Sequence, residues 1–214
     1  MRWDFLCVAK IEVFRLATQN IFITGASSGI GHALAHEYAN RCAAYRMDTG
    51  LQGSALGNIG LVARRSECLQ QLADELQSQY RVKCAIYALD VRDADAMQAA
   101  AQDFIKQFGA PHIVIANAGV SRGTLTEHHE DLPAFQAVFD TNVMGMVHTF
   151  QPFIAAMTQA AQAGQSAQLV GVASVAGIRG LPGSGAYSAS KAAAITYLES
   201  LRVEMAQLNI TVTT

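Results

Sequence analysis

Six short apolar runs punctuate the chain, at residues 21–24, 59–63, 84–89, 113–116, 169–173 and 210–213. Each predicts a strand buried on both faces. The stretches between them are longer and amphipathic. Leu72 and Leu76, with charges between and around them, show the helical period. Helices are predicted over residues 30–40, 67–79, 94–108, 132–163 and 187–208. Strand alternating with helix implies an α/β fold: a parallel, doubly wound sheet in three layers, ending at a sixth strand. Two stretches fall outside this rhythm. Residues 1–19 read as an N-terminal extension. Residues 41–58 contain Gly50, Gly53, Gly57 and Asn58 and read as an inserted loop.

Between the first strand and the first helix lies Thr24-Gly25-Ala26-Ser27-Ser28-Gly29-Ile30-Gly31. Glycines there let the backbone turn sharply and approach a pyrophosphate. The helix start adds free N–H groups and partial positive charge for an anion. No Lys follows the last glycine, so this is not a P-loop. Position after a buried strand favours a phosphate-binding loop over an ordinary glycine-rich turn, and with the alternating strands and helices the domain reads as Rossmann-like.

The segment TGASSGIG resembles the TGxxxGxG fingerprint of the short-chain dehydrogenase/reductase family. Asn117-Ala118-Gly119 is similar to that family's NAG motif, and Asp90-Val91 to its adenine-contacting pair. Asn142, Ser174, Tyr187 and Lys191 match its catalytic tetrad, including the YxxxK pattern. The match runs from about Asn20 to Thr214, interrupted at residues 41–58. It implies that Gly25, Ser27, Ser28, Gly29, Ile30, Gly31, Asp90, Val91, Asn117, Ala118 and Gly119 bind a dinucleotide. The tetrad would move a proton while a hydride passes between nicotinamide and a carbonyl or secondary alcohol.

The residues themselves support that chemistry. Tyr187 and Lys191 are four apart on a predicted helix and share a face. A free tyrosine titrates at about 10, too high for ready proton exchange near neutrality. A nearby ammonium favours the phenolate, so Tyr187 is the candidate general acid for reduction and base for oxidation. Ser174, at the end of the fifth strand, would hydrogen-bond the substrate oxygen. By resemblance, Tyr187 and Lys191 also contact the cofactor, Lys191 at the nicotinamide ribose, and Asn142 anchors a water that relays protons to Lys191. After the second strand stand Arg64 and Arg65, with no carboxylate at the ribose-reading position. Two guanidiniums there favour the 2′-phosphate of NADP over NAD.

Other constellations carry less. His32 and His36 are one helical turn apart, but there is no HExxH pattern and no evident third ligand, so no metal site is expected. His128-His129 lies in a polar loop, and Arg179 reads as a surface residue. Met144, Met146, Met157 and Met205 read as packing residues on helices. Ile178 and Leu181 hint at an apolar substrate pocket.

Composition sets the outer bounds. Of 214 residues, 51% are hydrophobic, which excludes a disordered chain. Lys+Arg 15 against Asp+Glu 17 leaves a charge of −2, with no footprint for nucleic acid or an anionic membrane. No apolar run approaches the roughly 18 residues of a membrane span. Cys7, Cys42, Cys68 and Cys84 form no CxxC pair. Idle thiols and the lack of a convincing signal peptide point to the cytoplasm. The family's usual pairing helices imply a homodimer or homotetramer.

Two departures qualify the resemblance. Gly31 to Ala63 spans 63 − 31 = 32 positions, where about 20 are usual in a dinucleotide unit. The surplus is either a tolerated surface loop or a non-coding stretch retained in the reading frame. The family also continues past its sixth strand into a Pro-Gly turn, a lid and a seventh strand. The expectation is therefore a catalytic core lacking its substrate lobe. The alternative function is an inactive dinucleotide-binding protein or fragment.

Overall fold

The computed structural model describes residues 19–49 and 57–214. Its six strands are β1 (Gln19–Thr24), β2 (Gly57–Ala63), β3 (Lys83–Ala88), β4 (Ile113–Ala116), β5 (Gln168–Gly171) and β6 (Thr211–Thr213). They form one parallel sheet in the order β3-β2-β1-β4-β5-β6. The chain therefore reverses its winding direction between β1 and β4. In such sheets the crevice beyond the strand ends at that point is where ligands bind.

Period-2 alternation along β1 feeds two cores. Phe22 faces one side and packs with Phe104 and Phe153, at ring-centroid separations of 5.4 and 4.7 Å. Ile21 and Ile23 face the other, among Ile59, Leu61 and Leu72. The Phe22 side is covered by α3 (Ala94–Phe108), by α5 (Gly145–Phe150) and α6 (Ile154–Gln162), and by α7 (Gly185–Ala206). The opposite side is covered by α1 (Gly29–Thr49) and α2 (Ser66–Tyr80). This is the three-layer Rossmann-like arrangement that the alternating pattern predicts. Gly60 marks how tightly the first layer sits: a Cβ there would come 2.5 Å from the Phe22 ring. No helix of the described residues is long and apolar enough to cross a membrane.

Three elements differ from expectation. The first helix does not stop at Asn40 but runs on to Thr49, so residues 41–49 of the expected loop are helical. Ala, Arg and Met, all good helix formers, dominate that continuation, and buried Cys42 packs against Gly57 at the start of β2. Residues 50–56 of the expected insertion, and 1–18 of the expected extension, lie outside the described residues.

The long helix expected over 132–163 is broken twice. α4 (Leu132–Phe139) passes into a π turn at Asp140–Met144, and α5 passes into a 3₁₀ turn at Gln151–Phe153. Pro152 accounts for the second break, since it has no N–H to give to the helix ladder. Wide π turns tend to sit at functional positions, and this one contains Asn142. It also carries Met144, which is 46% exposed, whereas Met146, Met157 and Met205 are buried as expected.

Candidate active site

The loop after β1 takes its shape from two left-handed glycines, Gly25 at φ +71° and Gly29 at φ +61°. A Cβ on Gly25 would lie 2.7 Å from the Asn117 amide, and one on Gly31 would run into the Gly25 carbonyl. The turn after β4 locks onto this loop. Asn117 Nδ2 donates to the carbonyls of Thr24 and Gly25, at 3.1 and 3.2 Å. Thr24 Oγ1 donates to the Ile115 carbonyl at 3.3 Å and accepts from the Asn117 and Ala118 amides. Asn117 thus braces the two loops as well as lining the crevice between them.

That crevice is a cavity of ≈ 390 Å³. Gly25, Ser27, Ser28 and Ile30 form one wall, and Asn117, Ala118, Gly119 and Val120 another. Ala63, Arg64 and Arg65 close one end, beside Leu89, Asp90 and Val91. Of the residues expected to hold a dinucleotide around this crevice, Gly29 and Gly31 shape the loop rather than line it. Arg65 Nη2 donates to Ser27 Oγ at 3.1 Å, which folds the guanidinium over the glycine loop. Arg64 lies 4.0 Å from the Asp90 carboxylate. Arg92 holds that carboxylate closely, Nη2 to Oδ2 at 2.8 Å and Nε to Oδ1 at 3.0 Å. These charge-assisted bonds hold the Asp90 carboxyl below its ordinary range. Val91 is largely buried against Gly145 at the start of α5.

The crevice borders the residues expected to form the tetrad. Gly119 is the junction: a Cβ there would lie 3.3 Å from Asn142 Oδ1 and 3.7 Å from Lys191 Nζ. Lys191 is buried and donates from Nζ to the Val172 carbonyl at 2.7 Å. Burial pushes its pKa down. The same Nζ lies 6.0 Å from the centroid of the Tyr187 ring.

Asn142 is 1% exposed and bonded to protein through both amide atoms. Its Oδ1 accepts from the Val120 amide at 2.8 Å, and Nδ2 donates to the Val120 carbonyl and to Ser190 Oγ, both at 2.9 Å. Ser190 Oγ donates in turn to the Tyr187 carbonyl at 2.7 Å. Ser190 is a member of this network that sequence reading did not single out. It sits inside the YxxxK segment, but its partner is 48 residues away.

Ser174 follows β5 and caps the 3₁₀ turn Val175–Gly177, its Oγ accepting from the Ala176 amide at 3.2 Å. Gly177 seats this turn on α7, where a Cβ would come 2.7 Å from the Lys191 carbonyl carbon. The four residues expected to form the tetrad therefore lie at the C-terminal edge of the sheet. The flanking loops are tied together: the Thr124 amide donates to the Gly183 carbonyl at 2.9 Å, and Thr124 Oγ1 accepts from the Ala186 amide. Leu125, Val175, Ile178 and Leu181 leave apolar side chains exposed on these loops. Arg179, His128 and His129 are exposed, as their sequence context implies.

Comparison with known proteins agrees with this fold. The sequence profile of the short chain dehydrogenase family matches residues 19–214. The 11-beta-hydroxysteroid dehydrogenase 1A of Arabidopsis thaliana is 31% identical over 195 residues, covering 91% of this chain and 50% of the plant protein. The chain thus spans half the length of that relative. The structure of L-sorbose reductase from Gluconobacter frateurii, complexed with NADPH and L-sorbose, superposes with a TM-score of 0.77. It is 25% identical and covers 92% of this chain and 68% of that one. A NAD+-bound xylitol dehydrogenase superposes at a TM-score of 0.75 and 25% identity, covering 90% of this chain and 66% of that one. With the profile matched across all six strands and both glycine turns, the chain belongs to the short chain dehydrogenase family.

Proposed function

We propose that this chain is the nucleotide-binding and catalytic part of an NADP-dependent oxidoreductase that interconverts a carbonyl and a secondary alcohol. One observation carries the reading: the crevice that suits a dinucleotide is bordered by Gly119, and the buried side chains of Asn142 and Lys191 lie directly behind that glycine.

The residues present fit the cofactor. Gly25 and Gly31 have no room for a Cβ, so the backbone stays open to a pyrophosphate at the start of α1. Ser27, Ser28 and Ile30 line that approach, and Asp90 and Val91 would receive the adenine. Asn117, Ala118 and Gly119 border the nicotinamide end. Arg64 and Arg65 are exposed at the ribose-reading end and supply two guanidiniums for a 2′-phosphate. The sorbose reductase complex with NADPH is in keeping with that choice, while the xylitol dehydrogenase holds NAD+.

NADPH, when bound, supplies the hydride. Tyr187 gives its phenolic proton to the carbonyl oxygen as the carbonyl carbon is reduced, and takes a proton back in the oxidation direction. The Lys191 ammonium favours the negative charge that forms on the phenolic oxygen. Ser174 Oγ donates to the same substrate oxygen and steadies it. Asn142 keeps Val120 and Ser190 in place, and by that route the start of α7.

The substrate is a small molecule with a carbonyl or secondary hydroxyl group, approaching across the exposed apolar rim of Ile178 and Leu181. We place the protein in a reducing, cytoplasmic setting, consistent with free thiols at Cys42, Cys68 and Cys84. It assembles as a homodimer or homotetramer. NADPH binding measured beside NADPH oxidation over a panel of ketones and aldehydes tests the reading. Binding with turnover supports it. Binding without turnover supports the alternative of a dinucleotide-binding protein without catalysis.

A further inference from the structure

Among the described residues, one group of His, Cys, Asp and Glu side chains brings three ligand atoms close together: His32, His36 and Glu75. One ligand atom from each lies within 4.8 Å of the other two. His32 and His36 sit one turn apart on α1, with ring centroids 4.8 Å apart. Glu75 reaches across from α2, its Oε2 3.5 Å from His36 Nε2. The Tyr80 ring meets His36 edge-on at 6.0 Å and limits how that imidazole can turn. The sequence alone argues against a metal here because the histidine pair lacks a third ligand. The fold supplies it from another helix, 75 − 36 = 39 residues on.

We propose that His32, His36 and Glu75 form a divalent transition-metal site that staples α1 to α2. Two imidazoles and one carboxylate suit zinc and its first-row neighbours, whereas magnesium and calcium prefer all-oxygen sites. Tetrahedral zinc with bonds of about 2.0–2.1 Å sets its ligand atoms about 3.4 Å apart. His36 and Glu75 already stand at that spacing, 3.5 Å. The remaining closure is a side-chain rotation on a half-exposed surface, with the fourth position left to water. The site lies outside the crevice, yet both helices frame it. α1 begins in the glycine loop, and α2 begins directly after Arg64 and Arg65. A metal here would fix the phosphate-binding end of the groove without touching the tetrad.

The test is a titration of the metal-free full chain with Zn²⁺ and, separately, Co²⁺, read by calorimetry, thermal unfolding and the visible spectrum. One equivalent of Zn²⁺ is expected to bind. At a hundredfold excess over Kd, the unfolding midpoint should rise by about 5–10 °C. Co²⁺ should give ligand-field bands with no thiolate charge-transfer band. His36→Gln and Glu75→Gln, both on the helix surface, should each weaken binding at least about tenfold. Their metal-free midpoints should stay close to the parent's, which shows that they fold. The proposal is overturned by the absence of saturable binding. A midpoint shift that survives undiminished in His36→Gln also overturns it, as does a thiolate band that assigns the metal to cysteine.

Discussion

Lys191 donates from Nζ to the main-chain carbonyl of Val172 at 2.7 Å, which pins a buried ammonium between the C-terminal end of β5 and the first turns of α7. Burial lowers its pKa in the folded chain. The unfolded chain therefore binds more protons between that lowered value and the ordinary value of about 10.4. Stability should rise with pH across that window, and the cost of burying the charge should be fully present below it. Lys191→Met removes that cost. In urea denaturation its stability relative to the parent should be highest near neutrality and should decline as pH climbs towards 10. Turnover should fall by at least about a hundredfold, because the charge beside Tyr187 is lost.

Asn142 has a different kind of importance. Its amide satisfies both polar main-chain groups of Val120, which is partly buried at the crevice wall, and the hydroxyl of fully buried Ser190. Asn142→Ala should cost about 2–4 kcal/mol of unfolding free energy, since it unpairs three partly or fully buried polar groups at once. Ser190→Ala removes one of Asn142's hydrogen bonds together with the bond to the Tyr187 carbonyl, and should cost about 1 kcal/mol. Equal losses in chemical denaturation would show that the network does not act as described.

Gly31→Ala tests the glycine loop. The new Cβ would collide with the Gly25 carbonyl, which is main chain and cannot swing aside. NADPH affinity, followed by fluorescence titration, should weaken by at least about tenfold as the loop is displaced. Gly180→Ala is the matched control. A Cβ there meets open space, and affinity should be unchanged.

Replacing both Arg64 and Arg65 with Ala should raise the KM for NADPH by about 10–100-fold and leave that for NADH nearly unaltered. Each charge-assisted bond to a phosphate is worth about 1.5–3 kcal/mol before solvent screening, and both arginines are solvent-facing. A parallel loss for both cofactors would remove the basis for an NADP preference.

Much of this was legible in the sequence, because its strongest signals are local. Buried parallel strands appear as unbroken apolar runs. The glycine loop and the Tyr187–Lys191 spacing each fit within one element. Local reading failed where the deciding contact lies elsewhere in the chain. The apparent stop at Asn40 reflects the turn preference of one side chain, but the residues beyond it favour helix and Cys42 is held by Gly57. The π turn at Asn142 has no proline to announce it, and the partners of Asn142, Val120 and Ser190, lie far away in the chain. Ser190 and Glu75 look ordinary until the fold brings Asn142 and His36 to them.

The central claim is that Tyr187 moves the proton in a nicotinamide-dependent carbonyl reduction. Tyr187→Phe tests it most directly, with NADPH binding and NADPH oxidation measured on the same preparation against a carbonyl substrate turned over by the parent. The account predicts that NADPH still binds with near-parental affinity while kcat drops by about 10²–10⁴-fold. Full turnover by the phenylalanine variant would contradict it.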